Sequence, residues 1–310
     1  MKRIGVLLLL CLFLAGCTGK TEASKTVFAM DTVMQLQAWG SGAEDALDGV
    51  EELLYSLEKQ WSATDLDSTL GKLNRGLRIG LRPEELQLLD KVRQLSERTK
   101  GAFDPMLYDV MKVWGFYEDN FRVPTRQELQ QALTEEHWDL GAVIKGHAGQ
   151  LAAELLLESG IDRAILNLGG NIQTVGQKPD GSPWVIGIQD PNGSGQTGVV
   201  SVYGTASIVT SGSYQRYFEQ DGVKYHHIID PKTGYPADSG LVSVTVICRD
   251  GMTADALSTA LFVMGLEQGA EFWQESDDFE AVFILADGSI YATEGAALSD
   301  CEFEVIRREK

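Results

Sequence analysis

Five polar segments of the chain carry the residue types that bond-making or bond-breaking would need. Gly101-Ala102-Phe103-Asp104-Pro105 comes first, followed by Trp114-Gly115-Phe116, and Asp139-Leu140-Gly141-Ala142-Val143-Ile144-Lys145-Gly146 is the second. Asn167-Leu168-Gly169-Gly170-Asn171 is the third. Thr210-Ser211-Gly212-Ser213-Tyr214 is the fourth and runs on to His226-His227-Ile228-Ile229-Asp230-Pro231-Lys232-Thr233-Gly234; Ala254-Asp255-Ala256-Leu257-Ser258-Thr259 is the last. Asp255 and Thr259 are four residues apart, so on a helix they share one face. A carboxylate and a hydroxyl so placed suit a hard divalent cation, its shell completed by a backbone carbonyl and substrate phosphates. Lys145 near a helix start opposes the helix dipole, which points to an anionic partner. Each segment alone has a plainer reading. Asp-Pro and Gly-Gly pairs form turns, Asp255 answers a helix dipole, and His227 bonds a loop carbonyl. Phosphate-loop, dinucleotide, nucleophile-elbow and His-Glu-x-x-His motifs are absent; the glycines at 141 and 146 are followed by His147 where a phosphate loop needs Lys.

The elements that must hold these segments follow from hydrophobic spacing. Val27–Trp39 alternates as one strand. Ala43, Ala46, Leu47, Val50, Leu53, Leu54 and Leu57 recur at helical spacing, and Pro83 opens a second helix. Thr125 and Glu128 have capping-box spacing before a third. Lys145–Ser159 reads as a helix stopped by Gly160, followed by an apolar run, Arg163–Leu168. Trp184–Ile188, Val199–Tyr203 and Val242–Cys248 read as strands, Ala254–Met264 as a helix, and Ala281–Leu285 with Ser289–Thr293 as a hairpin around Asp287-Gly288. Helices and strands mix without strict alternation, which predicts an α+β fold with mixed, largely antiparallel sheets flanked by helices. No repeat and no Pro- or Ser-rich linker divides the chain, so one domain is expected over 26–310.

The 310 residues carry 45 acidic and 26 basic side chains, a formal charge of −19 with no basic stripe, which excludes a nucleic-acid partner. A phosphate-bearing ligand would have to be held against that field by backbone N–H groups, a few placed cations or a bound metal. Lys2 and Arg3, the apolar run Ile4–Leu14 and Ala15-Gly16-Cys17 have the three regions of a secretory signal, too short to span a bilayer. Leu14-Ala15-Gly16-Cys17 looks like a bacterial lipobox, with cleavage after residue 16 and acylation of Cys17, leaving 17–25 as a lipidated tether at the outer side of the cell (inner) membrane. Cys248 and Cys301 remain, either bridged or as separate thiols.

In order and spacing, Asp-Leu-Gly…Lys-Gly, Gly-Gly, Thr-Ser-Gly-x-Tyr, His-Ile-Ile-Asp-Pro-x-Thr-Gly and Ala-Asp-Ala-x-x-Thr resemble the ApbE family, the FAD:protein FMN transferases. The resemblance runs from about Phe28 to about Thr293 and departs from the family pattern at Asp31, Thr64, Gln150 and Asn171. It implies an ApbE-like domain that splits FAD and attaches FMN to a Thr or Ser of an extracytoplasmic flavoprotein, such as a redox-pump subunit, releasing AMP. It implies that Met30, Thr64, Ala102, Phe103, Asp104, Asp139, Lys145 and Ile229 contact FAD. It further implies Mg²⁺ held by the Ala142 carbonyl, Asp255 and Thr259, with Ser258 in a slot where some relatives have Asp. His227 falls at the family's histidine and is the expected base, with Lys145 stabilising transferred charge. The alternatives are an FAD pyrophosphatase giving free FMN and AMP, and a non-catalytic FAD-binding lipoprotein.

Overall fold

The computed structural model describes residues 22–308. The signal, Cys17 and the start of the tether lie outside them. Two strands open the described chain, β1 (Glu22–Ala29) and β2 (Thr32–Trp39), where one strand is expected. Met30 and Asp31 take left-handed φ of 51° and 58°, and Ala29 pairs with Thr32, so these two residues are a tight hairpin turn. The sequence hides it because neither is the Gly or Asn that such a turn favours. Glu22–Lys25, expected in the tether, is strand. Lys25 is ion-paired to Asp48 and Glu51 of α1 (Ala43–Trp61). The predicted stripe of α1 is buried except for Leu53, which is half-buried, and Trp61 extends it by a turn; each fully buried Val or Leu in it contributes roughly 1.5–3 kcal/mol.

Short α2 (Thr69–Asn74) precedes α3 (Pro83–Arg98), which opens at Pro83 with Glu84 and Glu85 in its first turn. Next come α4 (Tyr108–Trp114) and α5 (Arg126–Ala132); Thr125 and Glu128 form the capping box. After α6 (Ile144–Glu158) the chain is mostly strand: β3 (Arg163–Asn167), β4 (Asn171–Val175), β5 (Trp184–Gln189), β6 (Gln196–Val202) and β7 (Ala206–Gly212). The hairpin β8 (Tyr217–Gln220) and β9 (Val223–His226) leads to β10 (Leu241–Cys248). Helix α7 (Gly251–Gln274) is interrupted at Gly265, whose φ of 80° and ψ of 179° are not helical. β11 (Phe279–Leu285), β12 (Ile290–Thr293), β13 (Leu298–Ser299) and β14 (Glu304–Ile306) complete the described chain.

Nine strands form one sheet in the order β1-β2-β3-β4-β7-β10-β11-β12-β14. Every neighbouring pair in it is antiparallel except β12 with β14. This is the α+β arrangement expected. One face is covered by α1, α6 and α7, whose apolar residues meet those of the sheet in two cores: Met34, Leu36, Leu47, Leu54 and Leu166 in one, Val209, Val246, Leu257 and Phe262 in the other. The small sheet β13-β6-β5 closes the opposite face through Ile188, Val200, Ile208 and Ile284. A fourth cluster joins α4, α5 and the β8–β9 hairpin around Trp114, Phe116 and Leu129. Cys248 and Cys301 are both free thiols, and burial pushes Cys248 up to about 11. Among the described residues no helix is long and apolar enough to cross a membrane.

Candidate active site

The site is built where the first turns of α6 and α7 meet. Gly146 and Gly251 are in backbone contact there, and a Cβ on either would collide with the other. That approach carries Asp255 under the start of α6, where its Oδ2 accepts the Gly146 N–H at 2.9 Å. The Lys145 N–H also points to this carboxylate. A helix start leaves such N–H groups without intrahelical partners, and α6 has no side-chain cap of its own. Asp255 therefore caps α6 from α7, rather than serving its own helix dipole. Asp250 does that, accepting the Thr253 N–H at 2.8 Å while paired with Lys91.

The same bond has a second effect. Because the Gly146 N–H goes to Asp255, it does not turn back to the Ala142 carbonyl, which stands outside the helix, one residue ahead of the N-cap Val143. Thr259, one turn beyond Asp255, lies 3.4 Å from Ser211 Oγ, which is 2.8 Å from Ser258 Oγ; Ser258 in turn donates to the Asp255 carbonyl. These donors are all oxygens, one of them anionic. Among the described residues no cluster of three His, Cys, Asp or Glu could hold a metal. Such a set suits a hard cation that takes the rest of its shell from substrate oxygens and water. Burial raises the Asp255 carboxyl above its ordinary value, while Lys145 and the two amides oppose that. Among the described residues no carboxylate lies within ion-pair distance of Lys145.

The two adjacent histidines separate by their bonds. His226 is buried: Nε2 donates to the Ala237 carbonyl at 3.2 Å, Nδ1 accepts the Ile228 N–H at 3.3 Å, and the ring meets Phe262 edge-on. Both nitrogens are spent. His227 Nδ1 donates to the Arg216 carbonyl at 3.1 Å, which fixes the tautomer and leaves Nε2 as an acceptor. The ring keeps some exposure, yet its dense surroundings push it down to about 4, with Lys145 opposing a charge there too. It is a neutral imidazole at pH 7. Asp230 does not orient it: its carboxylate accepts the Lys232 N–H and the Thr233 hydroxyl and holds the Pro231 turn.

The remaining candidates fall into two groups. Asp139 donates its N–H to the Pro105 carbonyl at 2.7 Å, joining the first two polar segments. Its carboxylate accepts the Gly141 N–H at 2.8 Å and the Tyr117 hydroxyl at 2.5 Å. Asp104 accepts the Met106 N–H. Phe103 is buried in the core shared by α1 and α6, and Ala102, Ala142 and Met30 pack against it. Ile229 is buried in the separate cluster around Trp114, two residues from His227. Thr64 stays apart: it is exposed beyond α1, hydrogen-bonded to Ser62 of its own loop. Sequence reasoning did not find Glu58, which accepts the Met30 N–H at 2.8 Å and holds the strained turn, nor Tyr117 and the Arg216 carbonyl. The Tyr117 signal was its place beside Trp114-Gly115-Phe116; no local signal marked the other two.

A model of the ApbE family matches residues 30–283. The FAD:protein FMN transferase of Treponema pallidum is 33% identical, covering 94% of this chain and 93% of its own. The crystal structure of the ApbE protein of Thermotoga maritima superposes with a TM-score of 0.82 at 31% identity, covering 88% of this chain and 97% of its own. The flavin transferase ApbE of Vibrio cholerae gives 0.79 at 28% identity, with the same coverage. On this match over most of its length, the chain belongs to the ApbE family.

Proposed function

We propose that the protein transfers FMN from FAD to a Thr or Ser hydroxyl of a target flavoprotein. The observation that carries this is the convergence at the start of α6 of Lys145, the cross-capping Asp255 with the Ala142 carbonyl it releases, and His227 with Nε2 free. The names of the relatives support the same activity.

Asp255, Thr259 and the Ala142 carbonyl would hold Mg²⁺, which neutralises diphosphate charge and polarises the phosphorus when bound. Lys145 is placed to meet charge on the transferred phosphoryl group. An acceptor hydroxyl is a poor nucleophile, and His227 Nε2 takes its proton as the oxygen attacks. The new bond joins that oxygen to the FMN phosphorus; the bond from this phosphorus to the bridging oxygen breaks, and AMP leaves with that oxygen and the electron pair. Neutral His227 suits this step better than an imidazolium, and Arg216 keeps the ring in the required tautomer.

The test uses a soluble form lacking residues 1–17, given FAD, Mg²⁺ and a candidate target. The target gains the mass of FMN, and Asp255→Ala abolishes the gain. FMN found only free in solution would replace transfer by pyrophosphate hydrolysis; FAD bound with no AMP released would replace it by storage. We also propose that Cys17 is acylated and holds the enzyme at the outer face of the cell membrane, on the strength of Leu14-Ala15-Gly16-Cys17. Labelled palmitate should enter the full chain but not Cys17→Ala; equal labelling would refute it.

A further inference from the structure

Asn171 is 2% exposed, and neither its Oδ1 nor its Nδ2 has a hydrogen-bond partner. It stands at the first position of β4, directly after Gly169 and Gly170, whose φ of 72° and 91° make the turn from β3. Its face is fixed by its neighbours. Ile172 packs toward the small sheet, so Asn171 and Gln173 point to the helix side. Gln173 on that side is fully engaged: it accepts from Ser207 Oγ at 2.5 Å and donates to the Thr174 carbonyl at 3.0 Å. It also lies against Gly149 of α6, one turn past Gly146. Asn171, two residues earlier on the same face, has nothing. Across the sheet it is paired with Val209. Two residues further along β7, on the same face, is Ser211, which reaches Ser258 and Thr259.

The bare amide thus lies on the helix-facing side of the sheet, on the strand beside the one that carries Ser211 to Ser258 and Thr259. Buried amides are costly to leave unpaired, and a folded chain keeps one where a ligand supplies the partner. Among the described residues the other buried side-chain groups without a partner are single hydroxyls, which rotate freely; Tyr214 and Ser243 stand near enough to serve each other. In an acidic protein an anionic ligand needs neutral donors as well as cations. We propose that Asn171 is a further substrate-binding residue, its Nδ2 donating to an oxygen of the diphosphate of FAD from the sheet side, opposite Lys145. This rests on the functional reading above and deepens it, since it names the part of the substrate that meets the floor of the site.

The test is Asn171→Leu, of similar size without polar atoms, with Asn171→Ala as a second variant. Binding of FAD and of riboflavin is followed by flavin fluorescence, and stability by thermal unfolding. FAD binding should weaken about ten- to hundred-fold, the range for a hydrogen bond to a charged group. Riboflavin, which lacks phosphate, should bind as to wild type. The ligand-free Leu variant should unfold at a temperature no lower than wild type, because no made bond is lost. Unchanged FAD affinity in both variants would overturn the proposal, as would an equal loss for riboflavin or a fall in stability alongside weaker binding. Because binding is read directly, a wild-type protein that binds FAD without transferring FMN counts against the functional reading alone.

Discussion

The crossing of α6 and α7 at Gly146 allows a sharp test of how the site is assembled. In Gly146→Ala the new Cβ would stand 2.6 Å from the Gly251 carbonyl carbon and 2.8 Å from Asp255 Cβ, and closer still to the Gly251 oxygen. Ordinary contact begins at 3.4 Å, so the helices must part by about 0.8 Å at the carbon alone, and by more at the oxygen. The obstacle is backbone, which cannot rotate away. Parting the helices stretches the 2.9 Å bond between the Gly146 N–H and Asp255. Overpacking costs about 1–3 kcal/mol, and weakening a charged hydrogen bond adds about 1–2 kcal/mol. Against this, Ala gains about 1 kcal/mol over Gly in a helix. The net expectation is a loss of roughly 1–4 kcal/mol. A displacement of about 1 Å among reacting groups costs about 100-fold in rate. Gly49→Ala is the control: in α1 the added carbon meets only Leu155 side-chain atoms at 3.5 and 3.8 Å, so the substitution should be neutral or slightly stabilising. Urea unfolding and FMN transfer, measured by mass shift of the acceptor, read the two effects. Wild-type stability and rate in Gly146→Ala, or a comparable loss in Gly49→Ala, would refute the argument that this backbone contact sets the site.

Three further outcomes follow from the site's bonds. His227→Ala should lose transfer by about 100- to 10,000-fold, the range for a lost general base, with stability near wild type; His226→Ala should lose stability first, because both its ring nitrogens are bonded. The reverse pattern would show that the base has been assigned to the wrong histidine. A chelator should stop transfer and added Mg²⁺ restore it, while Asp255→Asn, which keeps an oxygen able to cap Gly146, should stay folded but remain inactive at any Mg²⁺ concentration; full activity in that variant would remove Asp255 from the metal site. Burial holds His147, His226 and His227 at about 4 against an ordinary 6.5. The unfolded chain therefore takes up protons near pH 6.5 that the native protein refuses, so their contribution is complete above that pH and is lost as pH falls toward 4. The urea midpoint should decline across that window, and a flat profile would contradict the buried neutral imidazoles.

Local signals made the helices legible. Pro83 and the Thr125–Glu128 pair mark helix starts because capping is settled within one turn, and Gly160 marks an end because its φ of 79° is awkward for other residues. Strands were legible where apolar residues alternate, as in β5 and β10. β7 shows in the sequence only as a polar segment, since Ser211 in it faces the site groups Ser258 and Thr259, which a sequence cannot show. The five polar segments were visible, but not the bonds that join them. Asp255 to Gly146 spans 109 residues, and His226 and His227 look alike until their acceptors, Ala237 and Arg216, are in place. Met30-Asp31 escaped for the opposite reason: the turn is strained, and its support, Glu58, comes from another element.

The interruption at Gly265 divides the work of α7. Its first half, Gly251 to Met264, carries Asp255 and Thr259, while Trp273 in the second half packs with Phe279 and Phe283 of β11. In an unbroken helix each inserted or deleted residue turns everything on one side by about 100° relative to the other, so a change in length near the sheet end would swing Asp255 and Thr259 out of line. A non-helical residue between the halves can take up that rotation. The end of α7 is thereby free to drift in length and angle over evolutionary time, while the register of Asp255 over Gly146 stays put.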